Sequence, residues 1–249
     1  MNYTELLEEI LNSSKVSDKD GNCVELKGSI DGSEGKYIFN LIKNNPRITL
    51  TLEIGCGYGI SALFICSALK GRQNVKHIII DPFQYSDYSG IGILNLNRVN
   101  CNFFELIPEY SEYALPTLAK AKSGAFDLIF IDGWHTFDHI MLDLFYSNKL
   151  LRIGGYIVID DCRYPSIAKA ITYLSKFPAY KFHSETDYFN LSFRAKVSYN
   201  ISRAIPQFIK HNFLPFNISQ SLYRLQNSSM MTFQKIANDE RDWKWFKEF

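Results

Sequence analysis

Four short segments carry the side chains able to do chemistry. Glu53-Ile54-Gly55-Cys56-Gly57-Tyr58-Gly59 sets an acid ahead of three glycines at alternate positions. Glycines so placed let a backbone approach a ligand closely, and the amides of a helix starting there offer an anion site. The spacing G-x-G-x-G departs from the G-x-G-x-x-G of dinucleotide loops, because Ile60 stands where the third glycine would be. An acid two residues ahead of the first glycine repels a pyrophosphate and attracts an ammonium group. Three further apolar runs also end in acids: Ile78-Ile79-Ile80-Asp81, Phe126 through Ile131-Asp132-Gly133-Trp134-His135, and Ile157-Val158-Ile159-Asp160-Asp161. Gathered together without partners, Asp132, Asp160 and Asp161 must either hold protons at raised pKa or recruit a cation. An all-oxygen donor set suits Mg²⁺, Ca²⁺ or Mn²⁺ better than zinc. His135, with an ordinary pKa near ~6.5, can take a proton at neutral pH.

These residues meet only if the runs are parallel strands of one sheet, whose carboxyl ends share an edge where open α/β sheets bind ligands. Short β-branched runs alternating with stretches of helical period predict strands at Thr49–Ile54, His77–Asp81, Asn102–Ile107, Phe126–Asp132 and Tyr156–Asp160. Near-continuous apolar character indicates helices on both faces. Helices are expected at Ile60–Leu69, Tyr88–Val99, Ser111–Lys122, His135–Leu151 and Pro165–Lys176, with Gly154-Gly155 as a stop and turn after the fourth. Ahead of them, Tyr3–Asn12 and Glu34–Lys43 read as helices covering one edge of the sheet, the second capped by Ser33 or Asp31. Tyr180–His183 and Met230–Lys235 read as a sixth and seventh strand, with helices near Val197–Lys210 and Ser219–Leu225 in the long insertion between them. The expected fold is therefore α/β, a Rossmann-like doubly wound, mainly parallel sheet of seven strands, the last antiparallel. Its parts are N-terminal helices over residues 1–47, a core over 48–185, a helical insertion over 186–228, and a last strand with tail over 229–249.

The glycine loop and its two acids resemble those of class I S-adenosylmethionine-dependent methyltransferases, over roughly Gly28 to Lys235. The resemblance implies S-adenosylmethionine as cofactor. Glu53 would then meet its amino group, Gly55, Gly57 and Gly59 would supply close-approach backbone, and Ser61 would bind its carboxylate. Asp81 would accept the ribose hydroxyls and Ser111 would contact adenine. The acids after the fourth and fifth strands are similar to those of metal-dependent O-methyltransferases of the catechol and caffeoyl-coenzyme A type. That likeness implies Mg²⁺ on Asp132, Asp160 and Asp161, with two departures: Asp161 replaces the usual Asn, and His135 stands where the catechol enzymes carry Lys. The Asp132-Gly133-Trp134-His135 sequence and the Gly-Gly strand ending in Asp resemble the macrocin-type sugar O-methyltransferases, which implies His135 as general base and a hydroxylated small molecule, a sugar, as acceptor.

Competing readings attach to the same residues. Asp132 or Thr136 would serve as helix caps, His135 as a satisfied helix-start residue, and His135 with His139, Asp138 and Asp143 as a zinc set. Tyr85, Tyr88, Trp134, Arg163 and Tyr164 follow strands at the same edge and would wall an acceptor pocket. The alternatives for the whole chain are a methyltransferase without metal and a non-catalytic nucleotide-binding scaffold.

Composition narrows the field. The chain of 249 residues has 46% hydrophobic and 21% charged residues, which supports a real core and not a disordered tail. With 27 basic residues against 26 acidic ones, its formal net charge of +1 supplies no global field for nucleic acid. No Asp/Asn-Pro-Pro-Tyr element follows the fourth strand, so base-flipping chemistry lacks its residues. Five cysteines without a C-x-x-C pair suit reduced thiols. Without a signal-like start or a long apolar run, the expectation is a soluble, cytoplasmic protein with no membrane span. The mixed-charge aromatic tail Asn238–Phe246 reads as docked or as a subunit contact, and the late insertion as a lid or dimer face, the latter making the chain a homo-oligomer.

Overall fold

The computed structural model describes residues 1–186 and 229–249; the expected helices at Val197–Lys210 and Ser219–Leu225 lie outside the described residues. Seven strands form one sheet in the order β5-β4-β3-β6-β7-β9-β8. They are β3 (Leu50–Ile54), β4 (Lys76–Ile80), β5 (Phe104–Ile107), β6 (Phe126–Ile131), β7 (Leu151–Ile159), β8 (Tyr180–Glu185) and β9 (Met231–Lys235). Strands β3 to β7 pair in parallel, and β9 runs antiparallel to both neighbours. The Rossmann-like α/β architecture with an antiparallel last strand is thus the one expected.

Helices cover both faces. On one lie α1 (Tyr3–Ser13), α2 (Gly32–Asn44), α3 (Ile60–Leu69) and α4 (Ile91–Arg98), against inward residues such as Leu128, Phe130 and Val158. On the other lie α5 (Ser111–Lys122), α6 (Phe137–Leu150) and α7 (Pro165–Leu174), against Leu52, Ile129, Ile131 and Ile157. Alternate residues of one strand serve opposite layers, which explains the unbroken apolar runs. The two N-terminal helices therefore cover a face of the sheet, where an edge was expected. Asp31 caps α2, accepting from the Ser33 and Glu34 amides, while Glu34 closes the box on the Asp31 amide. Tyr37 ties α2 to β8 and β9 through Ser184 and Thr232, both at 2.6 Å.

Local departures have identifiable causes. Gly154 and Gly155 do not end a helix: α6 stops at Leu150 and β7 begins at once. A register shift lies between Phe126 and Leu128 opposite them. Gly154 adopts φ +84°, and a Cβ on Gly155 would sit 2.9 Å from the Asp127 carbonyl oxygen, so this is a strand irregularity that needs glycine. Helix α4 starts at Ile91, three residues later than expected, after Gly90 at φ +69°. Helix α6 starts at Phe137, which leaves His135 in the preceding loop. A hairpin of β1 (Lys15–Ser17) and β2 (Cys23–Glu25) was not anticipated, although Asp20-Gly21-Asn22 is a turn signal. The tail docks on α7, with the Arg241 guanidinium 3.3 Å from the Phe177 ring centre and 4.7 Å from that of Trp245. Among the described residues, no helix is long and apolar enough to cross a membrane.

Candidate functional site

The acids meet because four strands end in register. Ile80, Ile54, Ile131 and Ile159 are aligned across β4, β3, β6 and β7, so the next residues, Asp81, Gly55, Asp132 and Asp160, form one line along the carboxyl edge. Neighbouring strands are ~4.8 Å apart, so the line spans roughly 14 Å. Above it lies a cavity of about 1010 Å³, at the upper end for small-molecule sites. Gly55, Gly57, Ser61, Asp81, Ser111, Asp132, His135, Asp160 and Asp161 all line it; Glu53 and Gly59 do not.

The glycine loop is built around Asp81. Its Oδ2 accepts from the Cys56 amide at 3.0 Å, the Gly57 amide at 2.9 Å and Gln84 Nε2 at 2.9 Å, while Oδ1 accepts from the Phe83 amide at 2.8 Å. Oδ2 is therefore fully used inside the protein, and Oδ1 keeps capacity for a ligand hydroxyl. Gly55 has φ +85°, and a Cβ there would fall 1.9 Å from the Asp132 carbonyl oxygen. Gly59 answers a different need: its Cβ would meet Gly92 backbone at 2.8 Å, so it lets α3 approach α4. Glu53 is fully buried behind the loop, where His77 Nε2 donates to it at 2.9 Å and the Ser61 hydroxyl donates to its other oxygen. Its partner His77 comes from the adjacent strand, and its reach to the cavity runs through Ser61.

At the other end, Asp132, His135 and Asp161 bring one donor atom each within 4.8 Å of one another. His135 Nε2 lies 3.1 Å from Asp161 Oδ2 and 3.7 Å from Asp132 Oδ1. Asp161 takes φ +53°, a conformation short polar residues tolerate, and its amide donates to Asp160 Oδ1 at 2.7 Å. Burial pushes the Asp160 carboxyl up to about 9, with repulsion from Asp132 adding to it, and that of Asp132 up to about 7, where the His135 hydrogen bond pulls it down and repulsion from Asp161 pushes it up. Burial also raises Asp161. His135 is held above its ordinary value, first by Asp132 and then by Asp161, against burial. Asp132 and Asp161 face the imidazole, while Asp160 lies outside this group of donor atoms and is repelled by Asp132; such crowding of carboxyls is electrostatically expensive, and a divalent oxygen-loving cation would relieve it. The donor set fits such an ion.

The competing roles fare differently. Thr136, not Asp132, occupies the N-cap of α6, without a side-chain cap bond, and its Oγ1 lies 2.7 Å from His139 Nδ1. His139 is thus turned to Thr136 and does not join the His135 cluster. Tyr88, Trp134 and Tyr164 line the cavity, whereas Tyr85 and Arg163 do not. Trp134 packs on Phe83 at 5.8 Å between ring centres, and His135 on Tyr164 at 5.1 Å. Sequence reading missed Asp31 and Glu34 on the cavity rim and Gln84 under the loop, which also bonds the Gly57 carbonyl at 2.6 Å. Nothing local marks Gln84, and the capping box identifies Asp31 only as a cap.

Residues 52–162 match a family described as a methyltransferase domain. Among solved structures, an O-methyltransferase of Bacillus cereus in complex with SAH aligns over 72% of this chain and 82% of its own, with TM-score 0.59 and 19% identity. The O-methyltransferase TomG of Streptomyces achromogenes, involved in tomaymycin synthesis and solved with SAM, aligns over 94% and 89%, with TM-score 0.61 and 13% identity. At these identities the likeness establishes the fold. No curated protein matches the sequence.

Proposed function

We propose, for a chain whose residues 52–162 match a methyltransferase domain, that it transfers a methyl group from S-adenosylmethionine to a hydroxyl of a small molecule, a sugar being the acceptor the sequence resemblance implies. The observation that carries this reading is the convergence of the glycine loop, Asp81 and the Asp132–His135–Asp161 cluster on one cavity. The two structural neighbours, with SAH and with SAM, support the choice of cofactor.

The cofactor supplies a methyl group on a positively charged sulfur, a strong electrophile with a good leaving group. This chain's residues have three tasks. Gly55 and Gly57 admit the ligand against the backbone, and the uncapped N-terminus of α3 faces its carboxylate. Ser61, held by Glu53, and Oδ1 of Asp81 hold the cofactor's polar ends, with Ser111 at the base. Asp132, Asp160 and Asp161 would hold Mg²⁺, which would lower the pKa of an acceptor hydroxyl. His135 takes the hydroxyl proton, oriented by Asp161 at 3.1 Å. Most of the rate comes from holding oxygen and methyl carbon in line.

Substituting His135 by Ala tests the assignment. Transfer to an authentic acceptor falls ~10²- to 10⁴-fold while S-adenosylhomocysteine affinity stays within about two-fold. Unchanged turnover removes His135 as base, and unchanged turnover after chelation removes the metal.

A further inference from the structure

On the reading above, we infer that His77 is a positioning residue for the cofactor: through Glu53 it fixes the direction of the Ser61 hydroxyl, so that Ser61 receives the cofactor's ammonium group and not its carboxylate. Thr51 and Glu53 on β3 and His77 on β4 are all fully buried. They alternate with Leu52, Ile54, Ile78 and Ile80, which pack on the opposite face, so all three point toward the layer that holds α3. Thr51 stands directly opposite His77 in the register. Thr51 Oγ1 lies 2.9 Å from His77 Nδ1, His77 Nε2 donates to Glu53 Oε2 at 2.9 Å, and the Ser61 hydroxyl donates to Glu53 Oε1. Of these four residues, only Ser61 lines the cavity.

The polarity of the chain follows from its donors. A serine hydroxyl has one hydrogen and two lone pairs. Ser61 gives that hydrogen to Glu53, so only lone pairs remain for the cavity, and a lone pair takes an N–H donor. Glu53 keeps the hydrogen turned inward because each of its oxygens already receives a donor. A buried carboxylate that loses one donor favours its protonated form, whose O–H would donate to Ser61 and release the serine hydrogen toward the cavity. The ligand's carboxylate has its own place beside this hydroxyl: Ser61 lies in the first turn of α3, whose N-terminal amides carry no side-chain cap. Apolar residues at positions 51, 53 and 77 would fill the sheet with less desolvation. A polar chain closed within two central strands, with one end in the cavity, serves to set the direction of that end.

Calorimetric titration of the full chain with S-adenosylhomocysteine, and with its analogue lacking the α-amino group, reads the rule as a ratio of affinities. The parent should favour S-adenosylhomocysteine about 10- to 100-fold, the worth of one charge-assisted hydrogen bond. His77→Leu and His77→Asn should lower the ratio ~5-fold or more. His77→Gln, whose amide N–H falls near the place of Nε2 where that of Asn falls near Nδ1, should keep it within about two-fold of the parent. Both amides are polar, so interior polarity alone does not separate them. Ser61→Ala removes the cavity end without altering the strands, and should also lower the ratio ~5-fold or more. A parent ratio near one, a ratio that Ser61→Ala leaves unchanged, or equal ratios in His77→Asn and His77→Gln overturns the inference. Weaker binding of both ligands by His77→Leu with the ratio kept marks a purely structural residue and overturns it as well. A parent chain that binds no S-adenosylhomocysteine strikes the methyltransferase reading itself.

Discussion

Replacing Asp81 by Asn distinguishes a residue that builds the cofactor loop from one that only touches the cofactor. The carboxylate accepts four hydrogen bonds, three at Oδ2 and one at Oδ1. An Asn side chain has one acceptor oxygen. Placed at Oδ2, it keeps three bonds but turns its NH₂ toward the Phe83 amide, donor against donor. Hydrogen bonds to a charged group are worth about 1.5–3 kcal/mol and neutral ones about 0.5–1.5, so three weakened bonds cost roughly 3 kcal/mol and the orphaned amide about 1 more. The protein without cofactor should therefore lose on the order of 3–4 kcal/mol, a fall in Tm of roughly 6–16 °C for a chain of this size. Scanning calorimetry of the ligand-free variant measures this directly, with S-adenosylhomocysteine titration alongside. A ligand-free Tm within about 1 °C of the parent, with only affinity reduced, would refute the loop-building role.

Two other substitutions probe the surroundings. Gly55→Ala combines φ +85° with a backbone oxygen 1.9 Å from the new Cβ, whereas Gly124→Ala at φ +65° meets nothing within 4 Å. The first should cost more than ~3 kcal/mol and the second about 1–2, and urea unfolding of the two variants would contradict this if the costs were equal. Burial pushes the Asp143 carboxyl from 3.8 up to about 7, with Oδ1 lacking any partner. A raised folded-state value means its contribution is fully present below pH ~4 and is lost as pH rises to about 7. Asp143→Asn should then match the parent near pH 4 and exceed it above pH 7 by up to about 4 kcal/mol. Unfolding midpoints that keep the same offset at pH 5 and pH 8 would count against it.

Much of the site was legible because its signals are local. An apolar run ending in an acid marks a buried parallel strand whose last residue emerges at the carboxyl edge, and this pattern alone places Asp81, Asp132 and Asp160 there. What was not legible depends on contacts between distant segments. Glu53 looked like a ligand-facing acid because its buried partner His77 lies on the neighbouring strand, 24 residues away. Gly59 looked like part of the ligand loop, yet the close approach it permits is to Gly92. Gly154-Gly155 carries a turn signature, and only the register shift opposite it explains two glycines inside a strand. The rim position of Asp31 follows from packing α2 on the sheet face, which no local pattern encodes.

Isothermal titration of S-adenosylhomocysteine into the purified full chain is the most direct test of the central claim, that the edge formed by Asp81, Gly55 and Asp132 holds a sulfonium nucleoside. One site per chain with micromolar affinity, abolished when Gly57 is replaced by Val, is the result expected, since a side chain there would enter the cavity beside Tyr88. No heat at millimolar ligand, or binding that Gly57→Val leaves unchanged, would contradict the account.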